Sequence, residues 1–287
     1  MDLSFSKAMR YLDDRFGCPY RIYHESPGGL TPVATGTIPK PTPGNDLMGT
    51  VVGNAVHAAI EEYITDWRND STLTPSLVDI RQTALNYIEN SWDVDFTARM
   101  ISDRGRFDVK EWPKIKSRHI AQAKKMMLAF VKHWNVNGFQ TMQCYALEEQ
   151  WQEEPPPPLL NEHLRLYGTI DFCAYDPTND VYYIVDWKSG HKPKAHFDES
   201  QLMCYAYLLH ITKKIDYSKM RCQFISMMDG EQSLHHPTAQ SQQEFSDWLA
   251  YIPYYLEEPD EAREDAQPSY DKCRSCHHRT DCSEAVS

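Results

Sequence analysis

The sequence predicts a single α/β domain over residues 1–287, and three observations carry that prediction. Two β-like stretches, 164–175 and 181–188, are joined by Asp176-Pro177-Thr178-Asn179-Asp180, which has the turn chemistry of an antiparallel hairpin. Segments with helical periodicity lie on both sides of that hairpin. The chain has 287 residues, 41% hydrophobic and 24% charged, so one sizeable core can be filled and wholesale disorder is excluded.

In chain order, Phe5, Met9, Leu12 and Phe16 fall on one helical face, with Ser4 or Ser6 as cap, and Cys18-Pro19 ends that helix. Residues 26–50 hold five Gly and five Pro and read as a long loop. Helical periodicity returns in GTVVGNAVHAAIEEYITDW, and further helices are expected at about 76–92 and 114–134. Residues 70–140 are thereby expected to be a helical insertion. The run Pro155 to Pro158 is a stiff connector between the β-like stretches 144–151 and 164–175. Residues 199–210 are helical again, and residues 268–287 form a cysteine-rich end.

The longest apolar run, Leu202 to Leu209, is eight residues, against the ~20 that span a bilayer, so no membrane partner is expected. MDLSFSKAMR lacks a basic head followed by an apolar stretch, so the expected compartment is a reducing cytoplasm. The net charge of −12 argues against a surface that coats nucleic acid everywhere. Its distribution is uneven: residues 104–132 hold nine Lys and Arg against Asp108 and Glu111, while residues 257–265 hold six acids.

The chemistry concentrates in the hairpin. Asp171 lies within an apolar strand, and Asp186 and Lys188 share one face of the next strand by alternation. Two carboxylates buried together need a cation, and Mg²⁺ or Mn²⁺ is the hard ion that oxygen ligands select. Gln201 and Tyr205 follow at i, i+4 on one helical face. An isolated D-x-K would read as a surface ion pair; the full set does not.

GTID at 168–171, DWKSG at 186–190, QLMCYAYLL at 201–209 and GNAVH at 53–57 together resemble the PD-(D/E)XK nuclease superfamily, in its RecB-like branch. That resemblance implies a restriction-endonuclease-like core, a mixed sheet flanked by helices. It implies that Asp171 and Asp186 are metal ligands, with His57 a further ligand, and that Lys188 is the catalytic lysine. Gln201 and Tyr205 match the family's Q-x-x-x-Y motif beside the scissile phosphate. From the residues alone, His57 reads as a hydrogen-bonded core histidine, and Glu61 and Glu148 read as solvated positions or as acids behind the ligands.

Cys273, Cys276 and Cys282 cluster near the carboxy terminus, and Cys18 stands far from them. Four soft thiolates suit tetrahedral zinc or an iron–sulfur cluster, and His277 and His278 keep a site of three Cys and one His open. The one-plus-three arrangement is similar to the cluster-containing RecB-like nucleases, the AddB-type subunits and the CRISPR-associated Cas-four family. It implies a 4Fe–4S cluster joining the ends of the chain. Cys144, Cys173, Cys204 and Cys222 lie in apolar segments and read as core residues.

Arg118, Lys125 and Lys132 recur every seven residues opposite Ile120, Ala123, Met127, Phe130 and Trp134. Such a stripe is ordinarily a solvated face; beside a phosphodiesterase site it is a candidate rail for DNA, with Trp112 or Trp134 as stacking rings. The functional expectation is a metal-dependent DNA exonuclease on single-stranded or frayed ends, in repair, recombination or phage DNA processing. No G-x-x-x-x-G-K-[ST] loop occurs, so unwinding is expected from a helicase or recombination partner. The alternatives are an end-processing nuclease of CRISPR adaptation and a non-catalytic, cluster-stabilised adaptor.

Overall fold

Helix α1 (Leu47–Asn69) begins where the glycine- and proline-rich segment gives way to apolar residues spaced three and four apart. Val52, Val56, Ile60, Ile64 and Trp67 form its buried stripe. The last residues of the expected loop 26–50 are therefore helical. The structure, a computed structural model, describes residues 2–4, 18–19, 47–103, 110, 112–152, 165–189, 199–258, 261, 264–265 and 273. The expected helix at 5–16 and the cysteines Cys276 and Cys282 lie outside the described residues. Ser4, offered as a helix cap, instead closes strand β1 (Asp2–Ser4).

Helices α2 (Leu77–Asp103) and α3 (Trp112–Val136) follow, the first running well past the expected 92. Strand β2 (Gln143–Gln152), the hairpin β3 (Arg165–Asp176) and β4 (Val181–Lys188), and helix α4 (Glu199–Lys213) stand within two or three residues of the expected limits. Beyond them come β5 (Met220–Ser226), β6 (Gln232–His235), α5 (Ala239–Leu249) and α6 (Tyr251–Glu257), none of which the sequence pattern foretells.

The strands form one mixed six-stranded sheet in the order β1-β3-β4-β5-β6, with β2 also on β3. β4 and β5 are parallel because α4 carries the chain over the sheet between them. Two cores result. One joins α1, α2 and α3 to Phe172, Ala174, Val185 and Trp187 of the sheet. The other joins α4, α5 and α6 to Ile184, Cys222 and Phe224. Helix α4 is buried all round from Leu202 to Leu209, which is why that run of eight residues is continuously apolar without entering a membrane. Among the described residues, no helix is long and apolar enough to cross a bilayer.

An aromatic cluster fixes α1 and α3 to the sheet. The ring of Trp134 lies 5.3 Å from Tyr63, 5.0 Å from Trp67 and 5.6 Å from Phe172. Trp134 is fully buried there, so it cannot stack on a base, which corrects the expectation for that residue. The opposite side of α3 exposes Arg118, Lys125 and Lys132.

Candidate metal and phosphodiester site

Strands β3 and β4 pair from Asp176↔Val181 only as far as Phe172↔Val185. The next backbone amide, that of Trp187, donates instead to the side-chain Oδ2 of Asp171 at 2.9 Å. One carboxylate thus replaces a rung of the ladder, and β1 takes up pairing farther along β3, at Arg165 to Tyr167. The opening so created is lined by side chains whose order in sequence follows from strand alternation. Asp186 and Lys188 share the face of Ile184, which α4 covers, and the turn of α4 presents Gln201 and Tyr205 to them.

These four residues form one hydrogen-bonded chain. Lys188 Nζ donates to Gln201 Oε1 at 2.8 Å, and Gln201 Nε2 donates to Asp186 Oδ1 at 3.0 Å and to Tyr205 Oη at 2.7 Å. Lys188 Nζ also lies 2.5 Å from Asp186 Oδ2. That oxygen is buried and receives no aligned hydrogen bond, so the contact is one of charge. The ammonium sits 5.2 Å above the centre of the Phe224 ring as well. Lys188 therefore has its position set by an amide, a carboxylate and an aromatic face.

Two glycines of the recognised motifs allow this packing. A Cβ on Gly168 would come within 2.9 Å of the Tyr205 ring, and one on Gly53 within 2.7 Å of Ser189 Oγ. Glycine at these positions lets α4 approach β3 and lets α1 approach the segment after β4.

On the other side of Asp171, His57 Nδ1 lies 3.7 Å from its Oδ2. Ligand atoms of His57, Glu148 and Asp171 all lie within 4.8 Å of one another. Glu148 comes from β2, whose register Leu147↔Phe172 and Glu149↔Ile170 sets it across from Asp171. Its backbone has φ 45, a left-handed conformation uncommon for a non-glycine residue and costing about 1 kcal/mol or more. Glu148, read as a solvated position or as an acid behind the ligands, here brings a carboxylate oxygen to within 4.8 Å of ligand atoms of His57 and Asp171. Asp186, expected among the metal ligands, accepts from Gln201 and lies against Lys188, next to this group of three. Glu61 is exposed, as expected.

Burial and crowding set the protonation of the cluster. Burial, then repulsion from Asp186 and Glu148, pushes the Asp171 carboxyl well above the usual carboxylate range. Burial, Glu61 and Asp186 push Glu148 up to about 7. Burial lowers His57, so its imidazole is neutral and able to ligate. Two crowded carboxylates and a neutral imidazole, with the Lys188-paired carboxylate of Asp186 nearby, form a donor set suited to a hard divalent cation.

A pH test follows. Glu148 ionises at about 4.3 when unfolded and at about 7 when folded, so the folded state holds the extra proton between these values. Without a cation, stability should fall as pH rises through that window. Melting temperatures measured across it should show a shallower slope in Glu148→Gln. Stabilisation by Mn²⁺ should grow over the same window in the parent and shrink in the variant. An unchanged slope together with an unchanged Mn²⁺ effect would remove Glu148 from the cluster.

Of the cysteines, Cys173, Cys204 and Cys222 are buried in the core and Cys144 is half-buried. Cys18 and Cys273 are half-buried. The side chain of Trp112 lies outside the described residues.

In a comparison with known families, the family described as the PD-(D/E)XK nuclease superfamily matches residues 2–283. No curated protein matches the chain.

Proposed function

The chain belongs to the PD-(D/E)XK nuclease superfamily, and from that membership we propose that it is a deoxyribonuclease that removes nucleotides from single-stranded or frayed DNA ends. The observation that carries the reading is the hydrogen-bonded chain of Lys188, Gln201, Asp186 and Tyr205 beside the cluster of His57, Glu148 and Asp171.

His57, Glu148 and Asp171 would hold Mg²⁺ or Mn²⁺, with Asp186 adjacent. When bound, such a cation supplies charge neutralisation at a phosphate and acidifies water. The protein's own groups do the rest. Lys188, fixed by Gln201 and Phe224, presents an ammonium to charge developing on the phosphoryl oxygens. Gln201 ties the lysine to Asp186, so neither side chain needs to reorganise when substrate arrives. Tyr205, whose hydroxyl burial keeps protonated, serves as a neutral hydrogen-bonding group behind Gln201. Arg118, Lys125 and Lys132, exposed along α3, are assigned to the DNA backbone.

Cys18 and Cys273 offer half-buried thiols and, with Cys276 and Cys282, would hold a 4Fe–4S cluster, zinc being the alternative occupant.

The test is incubation of anaerobically purified protein with end-labelled single- and double-stranded DNA, with Mn²⁺ or chelator, alongside iron, sulfide and zinc analysis. Expected are mononucleotide or short products from free ends, loss of activity with chelator, and about four irons per chain. Cleavage of closed circles at the same rate as linear strands would overturn the exonuclease reading. Stoichiometric zinc without iron would overturn the cluster.

A further inference from the structure

A second concavity lies on the α4 side of the sheet. The start of α4, the end of β6 with the residue after it, and one face of α5 surround an open cavity of about 340 Å³. Phe245 and Trp248 give it an apolar wall, their rings stacked with centroids 5.9 Å apart. Phe245 is buried, while Trp248 is half-buried. The imidazoles of His235 and His236 also line the cavity, with polar groups from Ser200, Ser241 and Glu244. Its lining includes one carboxylate and no lysine or arginine among the described residues. Ring faces with a few polar atoms suit a flat heterocycle; an acid without a cation does not suit a phosphate.

Two connections tie this cavity to the site above. Ser200 immediately precedes Gln201 on α4. The His235 ring lies 6.4 Å from the Phe224 ring, the same ring over which Lys188 Nζ sits. The Phe224 ring is thus a common neighbour of the lysine and of the cavity wall, which lie two ring contacts apart. At about 3.4 Å of rise per nucleotide in a stacked strand, that separation is a matter of a few nucleotides.

We infer that this cavity is a subsite for one unpaired nucleobase of the bound strand, close to the scissile phosphate; the inference rests on the nuclease reading. Stacking on Trp248 and the histidines tolerates any base, since every base has a π-face. A paired base can enter only by leaving its partner and its stack. The subsite therefore supplies a physical reason for acting on single strands and frayed ends.

The experiment is a binding scan in Ca²⁺ in place of the catalytic cation. A labelled single-stranded oligonucleotide carries one abasic position, moved stepwise along the strand, and affinity is read by fluorescence anisotropy. The parent should lose affinity about 5- to 150-fold at one or two adjacent positions, the equivalent of ~1–3 kcal/mol for one stacked base. In Trp248→Leu the intact strand should bind as weakly as the abasic one, and the dip should vanish. His236→Ala, at an exposed position that does not threaten the fold, should shrink the dip and serves if the tryptophan variant fails to fold. A flat scan in a parent that binds and cleaves, or a dip unchanged in the variants, overturns the subsite alone. A parent that binds no strand overturns the nuclease reading with it.

Discussion

Lys188→Ala should lower the rate of phosphodiester cleavage by about 10²–10³-fold, the usual effect of removing one preorganised group that stabilises transition-state charge. It should also weaken the fold, because Asp186 is only 2% exposed and Lys188 supplies the one ammonium in contact with it among the described residues. Breaking a buried ion pair from one side costs about 3–5 kcal/mol. Adding Mn²⁺ should recover part of that loss by giving the carboxylates another cation. The double variant Asp186→Asn, Lys188→Met separates the two effects, since it leaves no unmatched charge. Its melting temperature should return towards the parent value while cleavage stays at least as slow as in Lys188→Ala. Single-turnover kinetics and thermal melts read both quantities. A parent-like rate in Lys188→Ala would sink the assignment of this lysine.

Asp171→Asn should abolish cleavage yet make the cation-free protein more stable. The asparagine side-chain oxygen can still accept the Trp187 amide, so the local ladder survives. What it removes is a carboxyl that burial, Asp186 and Glu148 together push well above its ordinary value. The sign is fixed by linkage: a carboxyl with a raised folded pKa destabilises the fold as pH rises through the interval above its unfolded value. Near neutral pH the variant should therefore melt higher, by roughly 2–4 °C for each kcal/mol relieved in domains of about this size. Mn²⁺ should no longer raise its melting temperature. A variant that melts lower than the parent and still responds to Mn²⁺ would mean that Asp171 is a structural acceptor and not part of a cation site. Stability gained with function lost is what a preorganised charged site leads one to expect.

The legible parts of the fold were those with a local period or a turn. The hairpin could be read because Asp176 to Asp180 marks the turn: Asp176 accepts from the amides of Thr178 and Asn179, and apolar strands flank it. The helices α1, α3 and α4 could be read from their apolar stripes or runs. Strand β5 could not, because it is buried on both faces between parallel and antiparallel neighbours. MRCQFIS then has no period of two to detect. Helices α5 and α6 are short, with Phe245, Leu249, Ile252 and Tyr255 as their inward contacts, and α6 also exposes Tyr251 and Tyr254, which blurs its apolar stripe.

Within the site, Asp186, Lys188, Gln201 and Tyr205 were legible because each pair lies on one element at a fixed spacing. Glu148 was not, since its place opposite Asp171 depends on the register between β2 and β3. The proline-rich connector between those strands has no turn signature that fixes register. The carboxylate in the ladder was likewise hidden, because nothing in TID and VDW tells a paired strand from one that parts at an aspartate.

That substituted rung gives the molecule a built-in spectroscopic reporter. The Trp187 amide is bound to a side chain that gains or loses a proton and would exchange its environment on meeting a cation. Nearby, the Met227 amide donates to the Lys188 carbonyl at 2.8 Å, an ordinary main-chain partner that does not titrate. In an isotope-labelled sample the Trp187 amide resonance should move with acid and with Mg²⁺, while that of Met227 stays nearly still as an internal reference. Solvent hydrogen exchange at the two positions should diverge in the same way. Occupancy of the site would thus be read from one backbone proton, with no substrate present and no residue altered.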